Sequence, residues 1–377
     1  MRIIILGTAH PYRGGLAAFN MRLARQFISE GNQTDIITFT LQYPGFLFPG
    51  KTQYSDEEAP DDLRIMRKLN SVNPINWLHT GFIIRKLQPD ILLIKYWHPF
   101  MSPAFGTVAR TAKRRQTAVI CIFDNVIPHE KSLPDRLLTK YFVSCLDGAI
   151  VMSRSVSEDL SHFRIDLPVV FNPHPVYDNY GSLIRRDEAL KTLGLTDSYS
   201  YLLFFGFIRR YKGLDLLLEA FGDTRIRNLK LKLLIAGEFY ENDLPYREQI
   251  KNLDLERDVI LYDRFIGEDE VPVFFSAADL VIQPYRSATQ SGVTQIAYHF
   301  EKPMLVTDVG GLSEIVKDGT TGYVVKPDKG VIADAIVDFF VNNRSQQFIQ
   351  GVKKEKERFT WEKMTSSISD LYNRIIK

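Results

Sequence analysis

The chain has 377 residues, 45% of them hydrophobic and 24% charged, with a formal net charge of +2 at pH 7. That length exceeds what one ordinary core supports, so two domains are expected, and the balance of apolar and charged residues is that of a folded, enzyme-sized protein. No stretch approaches the roughly eighteen consecutive apolar residues that span a bilayer, and a nearly neutral chain without a recognition module is a poor partner for nucleic acid.

In chain order, Met1 to Gly7 is too short for a secretory leader and reads as a first strand, which favours a cytoplasmic location. The loop Thr8 to Gly15 follows, and then Leu16, Phe19, Leu23 and Phe27 mark one face of a helix that stops at Gly31. Gly14 and Gly15 open that helix and let the backbone approach a bulky anion with no Cβ in the way. The spacing is not Gly-x-Gly-x-x-Gly, and no Lys-Ser/Thr pair follows, so dinucleotide oxidoreductases and phosphate-loop enzymes are poorly supported. Further apolar runs follow at Ile36 to Phe39, Ile91 to Ile94, Ala118 to Phe123 and Ala149 to Val151. Runs without polar alternation indicate strands buried on both faces of a parallel sheet. Cys121 and Cys145 lie in or beside apolar segments, with no histidines at ligand spacing, and read as buried free thiols rather than a disulfide or a zinc site.

Basic residues outnumber acidic ones through the first half, in clusters at Arg64, Arg67 and Lys68, at Arg85 and Lys86, and at Lys113, Arg114 and Arg115. These fit a solvated helix face, and equally contact with anionic lipid headgroups or a phosphate-bearing substrate. Pro173 and Pro175 then forbid regular structure and place a hinge near residues 170–185. The strand rhythm restarts at Leu202 to Phe205, Leu231 to Ala236, Val259 to Tyr262, Leu280 to Ile282, Met304 to Val306 and Tyr323 to Val325, giving a second sheet. Its first strand runs into Gly206, Arg209, Arg210, Lys212 and Gly213 before a helix marked by Leu214, Leu217, Leu218 and Phe221. Cations at a helix N-terminus add to the N–H groups and dipole that already favour a phosphate. Gln290, Ser291, Gly292 and Val293 open another helix with Ser291 as its expected N-cap, and Thr307 to Glu314 open a third.

Together these segments resemble the retaining glycosyltransferases of family 4, which have the GT-B fold. The resemblance runs nearly end to end. It rests on Gly14-Gly15, on Gly206 with Arg209, Lys212 and Gly213, on Ala236-Gly237-Glu238, on Thr307 to Val316, and on Phe359-Thr360-Trp361-Glu362 at the start of the last helix. It implies two Rossmann-like doubly wound parallel-sheet domains facing an interdomain cleft. Residues 1–170 would bind the acceptor, residues 171–360 the nucleotide sugar, and the helix 361–377 would cross back to the first domain.

The resemblance further implies transfer, with retention, from a nucleotide-diphosphate sugar to a glycan or lipid-linked hydroxyl, without metal or cofactor. Such chemistry would serve surface polysaccharide or glycolipid synthesis at the inner membrane face. Arg209 and Lys212 would neutralise the departing diphosphate. Gly14, Gly15, Gly206, Gly237, Gln290, Ser291, Gly292 and Val293 would hold the donor. Asp124 stands where relatives often carry a histidine, and His129, five residues on, is a second catalytic candidate. His98 and Trp97 are acceptor-side candidates suited to stacking, with Trp97 equally fitting a core position. The family's two glutamates are missing, since Ala288 and Ile296 occupy their positions, which leaves ribose recognition open. Two alternatives stay open: a sugar-nucleotide epimerase on the same fold, and an inactive nucleotide-binding subunit.

Overall fold

The computed structural model describes residues 1–45, 52–55, 58–126, 133–178, 180–288 and 291–377. It divides into a unit of Met1–His174 with Thr360–Lys377, and a unit of Pro175–Phe359.

The first unit runs β1 (Arg2–Leu6), α1 (Gly15–Ser29), β2 (Gln33–Leu41), β3 (Ile65–Asn70), α2 (Pro74–Leu87), β4 (Ile91–Tyr96), α3 (Ser102–Ala112), β5 (Ala118–Phe123), α4 (Leu133–Val143), β6 (Gly148–Val151), α5 (Arg154–Ser161) and β7 (Val169–Phe171). Its seven strands are parallel in the order β3-β2-β1-β4-β5-β6-β7. Successive residues Ile3 to Leu6 and Ile91 to Ile94 point to opposite faces and are all buried, so the sheet is covered on both sides. β3 was not visible in the apolar pattern because it is an edge whose Arg67 and Lys68 are exposed, and β7, the other edge, because its apolar run is only three residues long. Cys121 and Cys145 are buried free thiols.

The second unit runs α6 (Arg186–Thr192), β8 (Ser200–Phe205), α7 (Leu214–Phe221), α8 (Thr224–Arg227), β9 (Leu231–Ala236), α9 (Leu244–Asn252), β10 (Val259–Tyr262), α10 (Val271–Ala277), β11 (Leu280–Gln283), α11 (Gly292–His299), β12 (Met304–Thr307), α12 (Leu312–Ile315), β13 (Gly322–Val325), α13 (Lys329–Val341) and α14 (Ser345–Lys356). Its six strands are parallel in the order β10-β9-β8-β11-β12-β13. α15 (Trp361–Ile375) then completes the first unit. Thr360 caps it, and Trp361 buries its indole 5.1 Å from the ring of Phe19 in α1.

Both sheets change winding direction about a central strand: β1 lies between β2 and β4, and β8 between β9 and β11. In open parallel sheets, the crevice outside the strand C-termini at such a point is where ligands bind.

Candidate functional site

In the second unit, β8 is followed by Gly206, whose φ of 94° belongs to the left-handed region that glycine tolerates. The chain then makes a 3-10 turn over Arg210–Lys212 and enters α7 through Gly213. The three cations of this turn separate. Lys212 folds inward and is 8% exposed, while Arg209 and Arg210 stay at the surface. A Cβ on Gly206 would stand 3.1 Å from Lys212 Nζ and 3.5 Å from a methyl group of Val293, so the ammonium and the start of α11 meet over the bare Cα of Gly206. Lys212 Nζ also lies 5.7 Å from the centre of the Tyr285 ring, whose hydroxyl is 3.3 Å from Ser291 Oγ. Among the described residues no carboxylate pairs with Lys212. Burial, reinforced by the nearby positive charge of Arg209, lowers its pKa to about 7. The Arg209 guanidinium stacks 5.1 Å from the Tyr240 ring centre.

Two glycines make this packing possible. A Cβ on Gly237, at the exit of β9, would fall 2.1 Å from the Gly206 carbonyl oxygen, so Gly237 lets the two strand ends close together. A Cβ on Gly292 would lie 3.0 Å from the ring of Tyr177, which is itself buried. Ser291 occupies the N-cap position of α11, yet its side chain makes no capping bond. The capping role expected of it is therefore corrected: its hydroxyl is turned toward Tyr285 instead. Gln290 lies outside the described residues, and Ala288 and Ile296 are both buried.

In the first unit, Gly14, with φ 99°, is the N-cap residue of α1, and a Cβ there would meet nothing within 4 Å. Gly15 is the first helical residue. At the ends of β4 and β5, Lys95 Nζ and Asp124 Oδ1 form an ion pair of 2.8 Å, with the ammonium 3.5 Å above the Phe19 ring. Burial depresses the Lys95 pKa, and Asp124 opposes that shift. Asp124 is thus the counter-ion of a buried lysine. His98 Nδ1 accepts a hydrogen bond of 3.1 Å from the Phe100 amide, closing a 3-10 turn over Pro99–Met101. Trp97 packs edge-on against Phe39 and Phe105 and donates its indole N–H to the Tyr43 hydroxyl at 2.8 Å. His129 lies outside the described residues.

Lys95, Tyr177 and Tyr285 were not singled out in the sequence. A lysine closing an otherwise apolar strand was the available signal for Lys95. The two tyrosines sit beside Pro175 and Pro284 in irregular segments and carried no comparable signal.

Two doubly wound parallel-sheet units of seven and six strands, together with the solved structures that superpose on the chain, place it in the GT-B fold class. Sucrose-phosphate synthase from Thermosynechococcus elongatus superposes with a TM-score of 0.77 at 16% identity, over 100% of this chain and 99% of that one. The Anabaena protein HepE, solved in complex with UDP, superposes with a TM-score of 0.75 at 14% identity, over 99% and 100%. Residues 199–342 match the family model described as glycosyl transferases group 1. Among curated proteins the chain is similar to an uncharacterized glycosyltransferase of Methanocaldococcus jannaschii, 24% identical over 251 residues that make up 65% of each protein. The aligned stretch thus spans just under two thirds of that relative.

Proposed function

We propose that the protein transfers a sugar from a nucleoside diphosphate donor to a hydroxyl acceptor, with the second unit holding the donor diphosphate. The observation that carries this reading is Lys212, a buried ammonium beside Gly206 with no carboxylate partner among the described residues. Leaving a cation buried and unpaired is costly unless something anionic completes it. A diphosphate over Gly206 would complete Lys212, take a second charge from Arg209 at the surface, and meet the N-terminus of α11. The group 1 family match over this same unit, and UDP bound to the similar HepE, support that choice of ligand.

In the transfer, the bond from the anomeric carbon to the diphosphate oxygen breaks and leaves negative charge on the phosphate. Lys212 and Arg209 stabilise that charge. The acceptor oxygen bonds to the same carbon, and its proton passes to the departing phosphate oxygen. Retention of configuration follows from the family likeness. In this reading the protein's own cations neutralise the phosphate, and no cofactor takes part. The first unit receives a glycan or lipid-linked acceptor, with Asp124, held by Lys95, at the end of β5.

The test is incubation with uridine, guanosine and adenosine diphosphate sugars, with and without oligosaccharide and lipid-phosphate acceptors. Donor consumption that requires an acceptor, with a glycoside of unchanged anomeric configuration by NMR, is expected. Epimerised sugar formed without acceptor, or no consumption by folded protein, would overturn the proposal.

A further inference from the structure

The helix α2 is apolar on both of its faces, and only one face is covered. Its inner face packs on β3 and α3: Thr80 Oγ1 donates to the Lys68 carbonyl oxygen at 3.2 Å, and Gly81 lies so close to Thr111 that a Cβ would approach it to 2.5 Å. The outer face carries Ile75, Leu78 and Phe82, spaced i, i+3, i+7 and 80%, 46% and 56% exposed. Helices that are apolar all round are ordinarily buried on all sides, whether in protein or in lipid.

The charge along the segment that carries this face has one sign, although in the neighbouring cluster Lys113 is paired with Asp147. Between Asp62 and Asp90 the sequence contains no acidic residue and five basic ones: Arg64, Arg67, Lys68, Arg85 and Lys86. Arg85 and Lys86 close the last turn of α2, and the Arg85 guanidinium donates to the Lys113 carbonyl oxygen at 2.8 Å, which brings the cluster at Lys113 to Arg115 alongside. Among the described residues, Lys68, Arg85, Lys86, Arg114 and Arg115 have no carboxylate partner. An apolar stripe bordered by unpaired cations is complementary to a surface that is apolar inside and anionic outside.

We infer that the outer face of α2 docks on anionic membrane lipid, with Ile75, Leu78 and Phe82 entering the headgroup–acyl boundary and Arg85 and Lys86 meeting the lipid charges. This locates on one helix the lipid contact that basic clusters alone left undirected. It does not depend on the sugar-transfer reading, because the test measures lipid binding without turnover.

The experiment is co-sedimentation of the full chain with phosphatidylcholine vesicles and with vesicles containing phosphatidylglycerol, alongside light scattering to fix the oligomeric state. The expected results are binding to the anionic vesicles only, weakened by salt, and a loss of about tenfold or more in partitioning for Ile75→Glu with Phe82→Glu. Leu244→Glu, which changes an exposed leucine of the second unit, is expected to bind as the unmodified chain does. Circular dichroism melts verify that both variants are folded. Absence of vesicle binding, equal binding by the Ile75/Phe82 variant, or a dimer that this variant converts to monomer would overturn the inference, the last by showing that a second copy covers the face.

Discussion

The most informative side chain is Lys212, because its cost to the fold and its use in binding have opposite signs. Folded, its pKa lies near 7, well below the ordinary lysine value of 10.5. Between those values the unfolded chain binds the extra proton, so this group's contribution to stability improves as pH rises from 7 toward 10. Replacing Lys212 with Met should therefore raise the melting temperature at pH 7, and the gap from the unmodified chain should shrink at pH 9 to 10. The same replacement should weaken nucleoside diphosphate binding by about 2 kcal/mol, roughly thirtyfold, as expected for a lost charge-assisted hydrogen bond. Stability gained while binding is lost distinguishes a ligand-binding lysine from a structural one, and calorimetric melts and titrations read both quantities. The pH dependence of binding follows from the same shift. Above pH 7 the empty site holds a partly neutral amine, so a diphosphate must recruit a proton, and its affinity should fall as pH rises from 7 to 9. Titrations in buffers of different ionisation enthalpy would detect that proton uptake.

At the scale of elements, the turns after the strands carry the fold's sharpest constraints. Gly213 links the 3-10 turn to α7 at φ 69°, and a Cβ there would lie 2.1 Å from the Pro284 carbonyl oxygen. Gly213→Ala should cost about 2–4 kcal/mol, because it combines left-handed strain with a backbone clash. Gly14 has a positive φ in open space, so Gly14→Ala should cost only about 1 kcal/mol from backbone conformation. Denaturant midpoints of the two variants test the ordering, and equal losses would contradict it. Such turns were partly legible in the sequence. The run from Tyr201 to Phe221 announced strand, turn and helix, since its apolar period changes at a glycine. What it could not announce was that Lys212 turns inward while Arg209 does not, because that depends on Gly206, Val293 and Tyr285 meeting across the sheet. The ion pair of Lys95 with Asp124 was hidden for the same reason, since its partners sit on neighbouring strands far apart in sequence. The edge strand β3 escaped because its exposed Arg67 and Lys68 break the apolar run, and β7 because three apolar residues are too short a run to stand out.

At the scale of the whole molecule, the chain leaves its first unit at His174 and returns at Thr360, so the last helix is covalently remote from the sheet it completes. Trp361 is 1% exposed, packs on Phe19, and lies under the Arg22 guanidinium. Trp361→Ala should destabilise the first unit by about 3–5 kcal/mol, visible by calorimetry as an earlier transition for that unit. The two-sheet plan was readable from the sequence because central parallel strands are written as uninterrupted apolar runs, whereas the functional claim rests on how one buried cation is completed. Calorimetric titration with uridine, guanosine and adenosine diphosphates, repeated on folded Lys212→Met, tests that claim most directly. One of the three nucleotides should bind the unmodified chain and lose roughly thirtyfold in affinity on the substitution. Failure of all three to bind, or equal affinity for the variant, would contradict the account.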